Sequence, residues 1–312
     1  MTIGLNPHHR LALTELSALS TSSLDRASTH AAELTVAAVT GEGWVLGGMS
    51  RAGDAPPDLE TRVVRASGGP AISAGEGTIY VGLSLPRADA LTPGGDAQVI
   101  NRYVRPVLRA LGRVGAPAHY FGRDWIAVAH RPAAWVGFAH DAGTRRVLVE
   151  AFVGVTHAFD GGVARPSYGG KAPASVGELA GKPLAVGDVR EAIVEAFANA
   201  YGHALVPTEI APGPAPRVED EPAWEARVPE VMGSVSAGRD AGGRMRVGGD
   251  WMVSRDARAS LEAALAAGPE LDDAGVAAAV DAALAAPGVV TFGVRRLASV
   301  AEAIAAAYKN PR

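Results

Sequence analysis

Between Arg65 and Leu85 the chain reads RASGGPAISAGEGTIYVGLSL. Within five residues it brings together a guanidinium (Arg65), a small hydroxyl (Ser67) and two adjacent glycines (Gly68, Gly69), flanked by two runs that read as strands. Glycine lets a backbone approach a bound group closely and adopt positive φ. A guanidinium holds a carboxylate or phosphate through two parallel donors. The combination suits an anionic ligand laid against the main chain. The same residues also describe an ordinary hairpin with Gly68-Gly69 at its corner, and spacing alone leaves both readings open.

The composition narrows the chemistry. The chain has 312 residues, 48% of them apolar, enough for sizeable cores in two domains. With 29 Lys and Arg against 33 Asp and Glu the formal charge is -4, so no basic field points to nucleic acid or an anionic membrane, and neither is expected as a partner. There is no cysteine, which removes disulfides, thiolate metal sites and any acyl-cysteine route. The eight histidines are scattered, with no i,i+4 pair, and no metal site is expected from them. The N-terminus lacks a continuous apolar core and a small-residue cleavage site, and no stretch of 18 uncharged apolar residues follows; a cytoplasmic location and a monomer are the expectations.

The elements that must position the turn follow from periodicity. Leu11, Leu13, Leu16 and Leu19 predict a helix, and a second short helical stretch is expected near 24–33. Strands are predicted at 34–39, 44–46, 62–64 and 79–85. GEGWVLGG at 41–48 superficially matches a nucleotide loop, but no helical pattern follows it. Ile100, Val104, Val107, Leu108 and Leu111 form one helical face, which Pro106 must kink or split. The runs 125–129, 134–138 and 147–155 predict consecutive antiparallel strands. A Gly/Pro-rich loop spans 160–174; Ser175 with Glu178, and Asp188 with Glu191, have the spacing of capping boxes, the second opening a helix that carries Val189, Ile193 and Phe197. Five prolines between Pro207 and Pro222 read as a semi-extended linker. Beyond it a hairpin across 240–243 and helices at 256–267, from 272, and from Ser299 make a small α+β unit. The expected division is 1–206, a linker at 207–224, and 225–312.

Several pieces in shared order resemble the lipoate-protein ligase A family, of the biotin and lipoate ligase superfamily, with its accessory domain fused at the C-terminus. They are GWVLGG at 43–48, the R-x-S-G-G of Arg65 to Gly69, Gly77 eight residues on, Gly122-Arg123-Asp124, Val136-Gly137 ahead of the long strand at 147, and GSVSAGRDAGGRMRVGGDWM in the tail. The resemblance implies an α+β fold, with a mixed, mostly antiparallel sheet packed against helices and a second, small α+β domain. It also implies activation of lipoate, or another acyl acid, by ATP with Mg to an acyl-adenylate, and transfer to a lysine of a lipoyl-domain acceptor protein. On that pattern Arg65 and Ser67 face carboxylate and phosphate, Gly68 and Gly69 admit the adenylate, Asp124 faces the nucleotide, and Gly77, Thr78 and Gly137 complete the binding residues.

Three positions depart from the pattern. The family lysine falls on Ala134, the third glycine of the turn is Pro70, and a His-Asp pair ahead of Gly77 is replaced by Ala74 and Gly75. Losing one preorganised charged donor costs about 10²- to 10³-fold in rate. Lys171, in the loop after the sheet, is the candidate catalytic replacement if it folds back over the site; a solvated loop lysine is the other reading. The alternative function is therefore a non-catalytic relative that keeps the fold to bind an acyl ligand or a lipoyl-domain partner.

Overall fold

The computed structural model describes residues 2–160, 171–216, 218, 221–267 and 271–310. The chain opens with strands β1 (Thr2–Leu5) and β2 (Arg10–Ala12), then helix α1 (Leu13–Ser22), whose Leu13, Leu16 and Leu19 are buried as the leucine stripe requires. The helix expected near 24–33 does not form. Arg26 instead pairs with Glu33 at 2.9 Å, and strand β3 (Ala32–Thr40) has already begun. Strands β4 (Gly43–Leu46), β5 (Arg62–Val64), β6 (Ile72–Ala74) and β7 (Thr78–Leu85) lead to helices α2 (Val99–Tyr103) and α3 (Arg105–Arg113). Pro106 lies in the first turn of α3, where its missing N–H has no helical partner to lose, so the apolar stripe is split at Val104.

Strands β8 (Ala118–Tyr120), β9 (Trp125–Val128), β10 (Arg131–His140) and β11 (Val147–Gly154) come next. Helix α4 (Val176–Ala180) is capped by Ser175, whose hydroxyl accepts from the Glu178 N–H. Helix α5 (Val186–Ala200) starts two residues before the expected cap at Asp188, and β12 (Ala204–Pro207) closes the body. The large sheet runs β12-β1-β3-β7-β11-β10-β9-β8, with β2 also beside β3. It is antiparallel from β3 to β8 and parallel at β12-β1-β3 and β2-β3.

Alternation along the strands divides the core into two layers. On one face Val36, Val81, Phe138 and Val149 meet Val107, Leu111, Ile193 and Phe197 of α3 and α5. On the other face Tyr80, Trp125, Trp135 and Phe152 meet α1 and the small sheet β5-β4-β6, through Leu16, Val45, Val63 and Ile72. Ile210, inside the proline-rich stretch, is buried in this second layer.

The tail contains a sheet of β13 (Ala226–Glu230), β14 (Gly233–Arg239) and β15 (Met245–Gly249), the strand β16 (Met252–Val253), helices α6 (Arg255–Ala266) and α7 (Asp273–Leu284), the strand β17 (Thr291–Phe292) paired with β16, and helix α8 (Ala298–Lys309). Val235, Val247, Leu261, Val276 and Ile304 form its core, while Met232, Met252 and Val290 reach into the helix-face core of the body. The fold is thus α+β, with a mixed, mostly antiparallel sheet against helices. Two predicted features, the 161–170 part of the Gly/Pro-rich loop and the Gly268 helix stop, lie outside the described residues. No described helix is long and apolar enough to cross a membrane.

Candidate functional site

The glycine turn leaves β5 and passes between β4 and the end of β10. Arg65 N–H donates to Leu46 O at 3.0 Å, Gly48 N–H to Ser67 O at 2.9 Å, and Gly68 N–H to Phe138 O at 3.0 Å. Arg65 is 2% exposed. Its Nε donates to Ser67 Oγ at 3.0 Å, one terminal nitrogen to Val45 O at 3.0 Å, and the other to Gly68 O at 3.2 Å and Pro70 O at 2.8 Å. Burial lowers its pKa to about 10, opposed by the nearby carboxylates of Glu150, Asp124 and Asp250, so the group remains a cation at neutral pH. The guanidinium therefore holds the turn in shape from inside.

The glycines serve close packing of chain on chain. A Cβ on Gly137 would overlap the Ser67 hydroxyl, and one on Gly68 would lie 2.5 Å from Trp251 O of the tail. Gly69 has φ +103°, a conformation side-chain-bearing residues rarely adopt. Arg65, Ser67, Gly68, Gly69, Gly137 and the buried Asp124 thus form one cluster, Asp124 being tied to β10 through its carbonyl, which accepts from Val136 N–H at 2.8 Å.

Gly77 and Thr78 stand elsewhere. Thr78 pairs with Gly154, four residues along the sheet from the row Gly82–Glu150–Gly137, a separation of about 13 Å at strand rise. Gly77 has φ +91° and a Cβ there would overlap Thr156 Oγ1, so it too serves a tight chain contact. Lys171 is exposed, and three residues on Ala174 N–H donates to Pro132 O at 3.0 Å. That anchor is five residues from Gly137 on β10, about 16 Å away. Ala134 is buried with Val136 and Phe138 in the helix-face core, and no lysine or arginine lies between Arg131 and His140 on that strand. Arg131 itself turns to Ala172 O, Pro173 O and Glu178.

Sequence reasoning missed three contributors. Glu150 is fully buried opposite Gly137 and accepts from the Tyr80 hydroxyl at 2.7 Å; burial, then this carboxylate, raises the Tyr80 pKa well above its ordinary value. A lone carboxylate in the apolar run VLVEAFVG was a legible signal for it. Trp251 and Met252 lie over the turn, and no local pattern could announce that. Third, His140 Nδ1 is 2.7 Å from Ser254 Oγ, which joins the end of β10 to the start of α6.

Between the turn and the tail lies a cleft of about 230 Å³. Leu24, Met49 and Val253 give it apolar walls, while His140, Arg255 and Arg258 supply polar ones. Arg255 is engaged by Asp141 and Asp25, both at 2.7 Å. Arg258 donates to Gly48 O at 3.1 Å and lies 4.0 Å from Glu262, which leaves further guanidinium donors available. Among the described residues, no group of three or more His, Asp or Glu is placed to hold a metal ion.

No protein-family model matches the chain, and no curated protein matches it by sequence. Solved structures do match it in fold. A bipartite lipoate protein ligase from Thermoplasma acidophilum, described with its E2 lipoyl domain, is similar over 68% of this chain and 88% of its own, at 13% identity and TM-score 0.55. Lipoate-protein ligase A bound with ATP is similar over 68% and 90%, at 12% identity and TM-score 0.54. LipL1 of P. falciparum, in complex with lipoate, covers 90% of this chain and 94% of its own, at 10% identity and TM-score 0.58. The fold is that of the lipoate-protein ligases.

Proposed function

We propose that the chain is a non-catalytic relative of the lipoate-protein ligases, which binds a medium-length acyl acid, such as lipoate or the acyl arm of a lipoyl-domain partner, in the cleft between glycine turn and tail. The observation that carries the reading is the commitment of Arg65: its donors go to Ser67, Val45 O, Gly68 O and Pro70 O, all within the protein. The turn does not fit ATP with its metal. Gly68 N–H is already bonded to Phe138 O, Pro70 has no N–H, and Ala134 supplies no cation. An acyl phosphate needs fixed positive charge and free amides where negative charge develops, whereas the Arg65 guanidinium and the Gly68 N–H are bonded within the protein.

The cleft offers a different chemistry. Leu24, Met49 and Val253 suit an alkyl chain, and Arg258 beside His140 suits its carboxylate. Calorimetry with lipoate and octanoate, run beside lipoate-dependent ATP-pyrophosphate exchange, tests the proposal. Binding that Arg258→Ala weakens about tenfold, roughly one charge-assisted hydrogen bond, and no exchange above background are expected. Exchange that Lys171→Ala lowers at least tenfold would restore the ligase reading with ATP and Mg, and absence of binding by either acid would remove the acyl cleft.

A further inference from the structure

The acyl cleft adjoins a second cavity, of about 350 Å³, whose walls come from β4 and β5 of the body and from β15 and α6 of the tail. Gly48, Met49, Val64 and Arg258 line both spaces. A carboxyl group held by Arg258 therefore sits at their boundary, and a substituent bonded to its carbonyl carbon can extend into the second space. Met49, unbranched and flexible, can adapt to a chain passing beside it.

The second space is charged where the first is mainly apolar. Glu262 of α6 accepts from Arg246 Nη1 at 2.8 Å and from Val247 N–H at 3.1 Å, and Arg258 lies 4.0 Å from it. Asp240 accepts from Arg246 Nε at 2.9 Å and is shared with Arg244 at 3.1 Å. Among the described residues, the three guanidinium groups of Arg244, Arg246 and Arg258 thus rest on two carboxylates, which leaves one positive charge for a monoanion. Arg51, the other cation on the wall, is matched by Glu221 at 3.0 Å and donates to Pro222 O and Gly238 O. The Arg246 side chain is about one-third exposed, and its Nη2 makes no hydrogen bond to a described residue, so a fixed guanidinium keeps a donor for a ligand.

We infer that the second cavity binds the polar end of an N-acyl amino acid, with the alkyl chain in the acyl cleft, the amide carbonyl on Arg258 and the terminal carboxylate on Arg246. This site rests on the acyl reading proposed above and names its ligand class. Glu221 and Glu262 on the same wall repel a second negative charge, so a carboxylate is favoured over a phosphate dianion. Glu221 Oε2 faces Arg51, while its Oε1 accepts no hydrogen bond from a described residue. An amide N–H supplies a donor for that oxygen, whereas an ester or thioester linkage has none.

The test is calorimetry of the full chain with octanoate, N-octanoylglycine and the uncharged N-octanoylglycinamide. N-Octanoylglycine is expected to bind about tenfold more tightly than either of the others, the gain of one charge-assisted hydrogen bond. Arg246→Ala is expected to weaken N-octanoylglycine about tenfold and to leave octanoate unchanged. Ser50→Leu is the second variant. Ser50 is half-buried and lines the second cavity but not the first, so a larger side chain there fills space without touching the charged cluster. It is expected to weaken N-octanoylglycine severalfold and to leave octanoate unchanged, with thermal unfolding confirming that both variants fold. Octanoate binding with N-octanoylglycine no tighter, or equal losses for the two ligands in the variants, would overturn the second site while the acyl cleft stands. Equal affinity for N-octanoylglycine and its glycinamide would overturn the terminal carboxylate on Arg246. No binding by any of the three would remove the acyl cleft and its extension together.

Discussion

Arg65 Nε donates to Ser67 Oγ at 3.0 Å, so the cation and the hydroxyl that open the glycine turn are bonded to each other. Ser67 in turn packs into the space left by the absent side chain of Gly137. This interlock makes the turn a structural joint between β4, β5 and β10, and several measurable consequences follow from it.

Arg65→Ala should be strongly destabilising. It strips the buried carboxylates of Glu150 and Asp124 of a neighbouring cation and leaves the carbonyls of Val45 and Pro70 without their donor. Removing one partner of a buried charge network costs about 3–5 kcal/mol. Urea unfolding of the two proteins gives the difference. A loss below about 1 kcal/mol, accompanied by loss of ligand binding, would show instead that the guanidinium faces a ligand.

Gly68→Ala probes the tail contact. The added Cβ would lie 2.5 Å from Trp251 O and 3.0 Å from Met252 Cα, both backbone atoms with little freedom to move. A cost of about 1–3 kcal/mol is expected, with faster proteolysis near residues 251–254, because the tail must shift to admit the methyl group. Unchanged proteolysis and unchanged stability would place the tail away from the turn in solution.

Much of this arrangement was legible in the sequence, for physical reasons. The strands at 125, 134 and 147 are continuous apolar runs buried on both faces, and Pro106 and Ser175 act through local backbone chemistry. The short strands β1, β2, β8 and β12, with three or four residues each, show no alternation long enough to detect, and their pairing comes from partners far along the chain. The site divides the same way. Arg65 to Gly69 stood out by residue type, but the use of Gly68 and Gly137 as clearances for Trp251 and Ser67 depends on contacts that local pattern cannot encode. The helix expected near 24–33 failed because Arg26 and Glu33 join a loop to a strand rather than successive helical turns.

Acid should loosen the joint between β10 and the tail in two stages. Burial lowers the His140 pKa below its ordinary value near 6.5. The unfolded chain then binds the proton first, so this contribution is complete above the unfolded pKa and is lost as pH falls through it toward the folded value. His157, also lowered by burial, acts in the same direction. Burial alone would raise the Asp141 pKa, but the Thr144 N–H and Arg255 outweigh it and hold the carboxyl at about 2. Its contribution is present above the unfolded value and is lost as pH falls toward 2. Stability measured by urea at pH 7.5 and 5.5 should therefore decrease on acidification, and His140→Gln should flatten that slope. An identical slope in the variant would remove His140 from the linkage.

Ala134→Lys tests whether the missing family cation alone explains the closed turn. Ala134 lies among Val136, Phe138 and the helices α3 and α5, whereas Gly137 meets Ser67 on the other face of β10. A lysine there would enter an apolar layer, where its ammonium has no partner and its volume no space. The variant should lose several kcal/mol of stability and show no lipoate-dependent pyrophosphate exchange. A folded Ala134→Lys protein that gained exchange would mean that the turn can open, that Arg65 can release its internal acceptors, and that a single substitution separates this chain from an active ligase.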